Sequence, residues 1–190
     1  VHRGGLTEGE YCAIIGAGPI GLLAGMIAQA YGAHAILLDL VQERLDFAKE
    51  LGIEYVINSG NEDAVARVAK ITNGVMAQQV MECSGANPAI LMSLDLVSNA
   101  GRITLTGWPA KETPLPTGVI TKKEIDIRGA RTSAGEFEEV IDLICSGRVD
   151  IRKILTKTIT MEEAPAVVND IEQNPGNYMK VVVQVGEEQA

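Results

Sequence analysis

Cysteine is scarce: Cys12, Cys83 and Cys145 are odd in number, far apart, and include no C-x-x-C pair. Neither a zinc-ligand motif nor a disulfide framework is therefore indicated, and reduced thiols in a cytosolic protein are the simpler expectation. Only two histidines occur, His2 and His34, and neither has a metal-ligand neighbour at helical or turn spacing. Basic charge is also in deficit. The net charge of −9 disfavours nucleic acid or an anionic membrane as the main partner. No apolar run approaches the ~18 residues of a membrane span, and the first residues do not read as a signal peptide. Internal repeats and low-complexity segments are missing too. The chain opens on Val1, which suggests a fragment or a processed product.

What is present is an ordinary globular composition, 46% hydrophobic and 22% charged over 190 residues, long enough to bury a core without staples. Short β-rich runs alternate with helical patterns. The strand candidates are Tyr11–Ile15, Ala35–Asp39, Tyr55–Asn58, Gln79–Cys83, Arg102–Thr106 and Glu124–Arg128. Helices are expected at Pro19–Tyr31, Gln42–Leu51 and Glu62–Ile71, with a fourth starting at Asn87 as N-cap and Pro88 in its first turn. The first is apolar nearly all round and is expected to be deeply buried. This alternation implies an α/β fold, a doubly wound parallel sheet of the Rossmann type, over residues 1–132. Residues 133–190 form a C-terminal α/β tail. There Phe137, Val140, Ile141 and Ile144 share a helical face, with Gly147 suited to the left-handed position after it. A strand over Ile154–Ile159 follows. Thr160 and Glu163 make a capping-box pattern, and a last strand spans Tyr178–Val185.

The stretch Cys12–Gly25 reads CAIIGAGPIGLLAG, with G-x-G-x-x-G between a strand and a helix. In a dinucleotide-binding reading, Gly16 makes the tight turn. Gly18 lets backbone N–H groups approach a pyrophosphate, and Gly21 lets helix and sheet pack closely. The helix N-terminus, carrying roughly half a positive charge, favours the phosphates. A glycine-rich turn without a ligand is the alternative for the motif alone. Asp39 strengthens the first reading: it lies 18 residues after Gly21, at the end of the second strand. A carboxylate there accepts hydrogen bonds from both adenosine-ribose hydroxyls and repels a 2′-phosphate, so NAD is preferred to NADP. Arg44 suits the adenine edge or, equally, a solvated helix face. ECSG at Glu82–Gly85 and LTGW at Leu105–Trp108 close the fourth and fifth strands, at the crevice edge. Ser84, Gly85 and Gly107 are small enough for a nicotinamide ribose to lie against backbone, or are simple turn residues. Cys83 reads as a buried small hydrophobe, and Trp108 as lining a pocket or an interface.

The ordered succession VHRGGLTEGEYCAIIGAGPIGLLAGMIAQAYGA, DLVQERLDFAKELG, MECSGA, GRITLTG and EIDIRGAR resembles the zinc-type medium-chain dehydrogenases, most closely the polyol branch. The resemblance covers nearly the whole chain. It implies a pyrophosphate loop at Gly16, Gly18, Pro19, Ile20 and Gly21, a ribose acid at Asp39 and a basic neighbour at Arg44. It also implies cofactor-lining segments at Thr106, Gly107 and Trp108 and at Ala130, Arg131 and Thr132. The third position of that last segment is arginine in the sorbitol dehydrogenase pattern and threonine here. Lys180 matches a basic position near the cofactor phosphates, or is a solvated lysine. The family's catalytic zinc, with Cys, His and Glu ligands, and its structural cysteines belong to a catalytic domain that precedes Val1 in the pattern. The tail would return to that domain. The expectation is therefore an NAD-binding portion without catalytic or metal residues, dimeric through the edge strand 124–128, and inactive alone. Two alternatives stay open. One is a free-standing NAD-sensing module. The other is an NADPH-dependent quinone or enone reductase, which Asp39 disfavours.

Overall fold

A computed structural model describes residues 1–133 and 135–186. It divides into two compact units, Val1–Val149 and Asp150–Ala190. No helix among the described residues is long and apolar enough to cross a membrane.

The first unit is built on six strands: β1 Tyr11–Ile15, β2 His34–Asp39, β3 Tyr55–Asn58, β4 Ala77–Glu82, β5 Val97–Leu105 and β6 Asp126–Gly129. They form one sheet in the order β3-β2-β1-β4-β5-β6, every pair parallel. The order reverses beside β1, so the doubly wound expectation holds. Continuous apolar runs make this possible: Cys12, Ala13 and Ile14 in β1 and Ala35–Leu38 in β2 are fully buried, as strands covered on both faces require.

Helices α1 Pro19–Ala30, α2 Gln42–Glu50, α3 Ala64–Ile71 and α4 Asn87–Leu96 cover the sheet close to the positions expected. The expectation that α1 is buried all round is corrected. Gly21, Leu22, Ala24, Gly25 and Ala28 are buried, but Ile20 is 60% exposed. Ile20, Leu23 and Ile27 instead line a cavity of about 500 Å³ with Tyr31, Val140 and Leu143. The N-cap of α4 is Ala86, not Asn87. The Asn87 amide is drawn away to the 111–113 segment, where it donates to Thr113 Oγ1 at 2.5 Å and to the carbonyls of Lys111 and Glu112.

Helix α5, Thr117–Lys123, precedes β6 and was not anticipated. Helix α6, Phe137–Cys145, follows within the same unit, which runs past the division expected after Thr132. Gly147 takes the left-handed conformation after it, φ 73°. Its shared apolar face is exposed at Phe137 and Ile141, and the residue it buries is Leu143.

The second unit holds β7 Leu155–Ile159, α7 Ala164–Gln173 and β8 Lys180–Val183, with β7 and β8 paired in parallel. The Thr160 N–H donates to Glu163 Oε2 at 2.9 Å, one half of the expected capping box, but α7 starts later than that pattern implies: its N-cap is Glu163, with no side-chain cap.

Candidate functional site

The carboxyl ends of β1, β2, β4, β5 and β6 carry nearly every residue singled out from sequence. Around the switch point, β1 leads into Gly16, whose φ of 105° suits glycine and whose N–H donates to Leu38 O at 2.7 Å. Gly18 is the N-cap of α1 and Pro19 opens the helix; no side chain caps this first turn. The two remaining glycines of the motif differ in what surrounds them. A Cβ on Gly21 would lie 1.8 Å from Gly16 O, so helix and loop touch directly there. A Cβ on Gly18 would meet nothing within 4 Å. Packing explains the first glycine; the second faces open space above the helix N-terminus.

Asp39 ends β2 with its side chain 9% exposed. Oδ2 accepts the Ala17 N–H at 2.6 Å, and Oδ1 accepts the Val41 N–H at 2.9 Å. The carboxylate thus stands beside the glycine loop, and each oxygen retains acceptor capacity. Arg44 projects from α2, with Nη1 3.9 Å from Asp39 Oδ2. The pair is loose, and the guanidinium lies on the β2 side of the crevice.

On the other side, Cys83 and Ser84 follow β4, and Thr106, Gly107 and Trp108 follow β5. Thr106 Oγ1 donates to Glu82 O at 2.7 Å and approaches Cys83 Sγ at 3.2 Å. Burial pushes the Cys83 thiol up to about 11, although the Thr106 hydroxyl favours the thiolate. Cys83 itself is half-buried, so the expectation of a buried small hydrophobe is corrected: it lies at the edge of the core, where the Thr106 hydroxyl reaches its sulfur. Ala130, Arg131 and Thr132 follow β6. The Ala130 N–H donates to Leu105 O at 2.9 Å, Thr132 has φ 54°, and the Arg131 guanidinium lies 4.8 Å from the centre of the Trp108 ring. Trp108 is 77% exposed, so this pair forms an open rim. Ile20, Thr106 and Ala130–Thr132 share the cavity described above. Lys180 is the first residue of β8, in the second unit.

Two participants escaped the sequence reading. Ala17 carries the N–H that joins loop to acid, and backbone donors leave no trace in residue type. Glu82 lies within ECSG, and its residue type alone assigns it no role. It is fully buried, and an acidic residue set between the apolar Val80–Met81 and Cys83 in a strand-like run is the available signal. Among the described residues no group of three or more His, Cys, Asp and Glu side chains could hold a metal ion.

A protein-family model described as "Zinc-binding dehydrogenase" matches residues 19–146. The chain is 50% identical over 181 residues to an uncharacterized zinc-type alcohol dehydrogenase-like protein of Haemophilus influenzae, covering 95% of this chain and 53% of that protein. It is 34% identical to a sorbitol dehydrogenase of Bacillus subtilis, covering 94% and 51%. Among solved structures, an alcohol dehydrogenase from Thermus sp. ATN1 superposes with a TM-score of 0.91 at 30% identity, over 97% of this chain and 54% of that one. A dehydrogenase of Escherichia coli solved with NADH gives 0.85 at 26% identity, over 97% and 55%. The chain spans about half the length of the curated relatives it matches.

Proposed function

This chain belongs to the zinc-binding dehydrogenase family, and from that membership we propose that it is the NAD(H)-binding portion of an oxidoreductase acting on a secondary alcohol of polyol type. The observation that carries the reading is the joined glycine loop and Asp39: a hydrogen-bonded acid beside an uncapped helix N-terminus, with open space at Gly18. These features fit a dinucleotide. Backbone N–H groups around Gly18–Gly21 hold the pyrophosphate, and Asp39 accepts the adenosine-ribose hydroxyls and disfavours a 2′-phosphate. Pro19 and Ile20 shape the start of the helix, and Arg44 flanks the adenosine. Cys83, Ser84, Thr106 and Gly107 border the nicotinamide ribose, with Trp108, Ala130, Arg131 and Thr132 at the rim. When bound, the nicotinamide supplies a hydride acceptor or donor; this chain orients it and shapes its surroundings.

A sorbitol dehydrogenase among the relatives and a neighbour solved with NADH support the alcohol and cofactor classes. The zinc that the family name implies is not assigned to the described residues. We place its ligands in sequence outside this chain, since the matched relatives are about twice as long. Dimerisation through β6, an end strand of the sheet, belongs to the same proposal.

Calorimetric titration with NADH and NADPH tests the reading. Saturable NADH binding, with NADPH weaker, is expected; no NADH binding, or a preference for NADPH, overturns it. Sorbitol oxidation assayed with NAD and added zinc is expected to be absent for these 190 residues, and turnover would refute the division of labour.

A further inference from the structure

We infer that Glu82 is a positioning residue that fixes the floor beneath the nicotinamide ribose. The inference rests on the cofactor reading above and adds to it a residue and a task. Glu82 closes β4 and is fully buried, where an acidic side chain is rare unless its acceptors are satisfied. Its side chain turns into the loop that follows. Oε1 accepts the Ser84 N–H at 2.8 Å, the Ser84 hydroxyl at 2.5 Å and the Gly85 N–H at 2.9 Å, and Oε2 lies 3.1 Å from the same Gly85 nitrogen. Its backbone carbonyl collects the neighbouring loop: the Thr106 N–H at 2.9 Å, the Gly107 N–H at 3.0 Å and the Thr106 hydroxyl at 2.7 Å.

One residue thus ties the loop after β4 to the loop after β5. There is no slack between them. A Cβ on Gly107 would lie 2.1 Å from Gly85 N and 2.6 Å from Glu82 Oε2, and one on Gly85 would lie 2.7 Å from Trp108 O. The chemistry of the anchor is specific. A carboxylate offers acceptors only, whereas an amide of the same shape would aim an N–H₂ group at backbone donors. Such a mismatch in a buried site displaces the donors it no longer satisfies. Those donors, on Ser84 and Gly85, border the nicotinamide ribose. The side-chain bonds of Glu82 end on Ser84 and Gly85; the glycine loop meets that segment through packing at Gly16, where a Cβ would lie 3.3 Å from Ser84 N, and not through a hydrogen bond to the carboxylate.

The test compares two probes on the 190-residue chain. NADH spans the whole crevice, and ADP reaches only the glycine loop and Asp39. Glu82→Gln is expected to weaken NADH about tenfold while ADP binding stays within about twofold. Ser84→Ala removes one donor to Oε1, along with the acceptor of the Ala86 N–H at 3.1 Å, and leaves the carboxylate paired to two backbone N–H groups, so it carries the test if Glu82→Gln does not fold. Its expected effect has the same selectivity and is smaller. Equal losses for both probes, or no loss for either, overturn the inference and leave Glu82 a packing residue. Failure of the unsubstituted chain to bind ADP at all would instead remove the cofactor reading beneath it.

Discussion

Asp39 Oδ2 accepts the Ala17 N–H at 2.6 Å, so the tip of β2 and the glycine loop after β1 are one hydrogen-bonded unit. The acid is held against its neighbouring loop at both oxygens, the other by the Val41 N–H at 2.9 Å. Asp39→Asn presents an N–H₂ group to one of those two backbone donors and weakens the acceptor for ribose. NADH affinity is expected to fall about tenfold or more, and the discrimination against NADPH to narrow. Parallel titrations of both nucleotides measure the change. Unchanged affinity for both would place the ribose elsewhere.

How much of this could be read from the sequence depends on the range of the forces involved. The strands of the sheet were legible because each is a continuous apolar run that must be covered twice. Gly16 and Gly21 were legible because backbone conformation and close packing leave only glycine. Asn87 does not cap its helix because the local hydrogen bond that the pattern predicts competes with partners 24 to 26 residues away, and those win. Helix α5 was invisible for a related reason. Its segment TGVITKK is rich in β-branched residues and includes a glycine, a poor helix by propensity. Tertiary contacts hold it: Val119 and Ile120 pack on the core, and Lys123 Nζ donates to the carbonyls of Leu94 at 2.8 Å and Val97 at 2.9 Å. The join between Asp39 and Ala17, and the role of Glu82, depend on which strand ends become neighbours, which follows from topology rather than from local pattern.

The cysteines should separate by environment. Burial pushes Cys12 up to about 12 and Cys83 up to about 11, whereas Cys145 is exposed. A disulfide reagent at neutral pH is expected to modify one thiol of the folded chain rapidly and the other two only on unfolding. Mass mapping should locate the fast adduct on Cys145. Rapid modification of Cys83 would mean that its loop opens.

Acid should weaken the first unit partly through Glu10. Burial alone raises this carboxyl, but hydrogen bonds from Arg102, at 2.5 Å, and from Thr7 outweigh it and hold it below its ordinary 4.5. A carboxyl depressed in the folded state contributes stability that is present above the unfolded value and lost as pH falls through the folded one. Glu10→Gln is expected to melt below the unsubstituted protein at pH 7, with the gap closing as pH drops under about 4.5. Melting curves across that range give the answer, and a gap independent of pH would assign the loss to packing.

The sharpest separation of folding from binding lies within the glycine motif itself. Gly21→Ala would drive a methyl group to 1.8 Å from Gly16 O, and neither the helix start nor the tight turn has room to yield. Its cost is expected to be at least about 1–3 kcal/mol of stability, the range of overpacked cores. Gly18→Ala is the opposite case. Its φ of −74° and ψ of −178° suit alanine, and its new methyl meets no protein atom within 4 Å. It should melt within about 0.5 kcal/mol of the unsubstituted chain. Yet the methyl occupies the space that backbone N–H groups need for a pyrophosphate, so ADP and NADH should both bind at least about tenfold more weakly. Chemical denaturation and calorimetry on the two variants read the outcomes separately. A Gly18→Ala chain that binds as well as the original would mean that the open space beside α1 is not where a pyrophosphate lies.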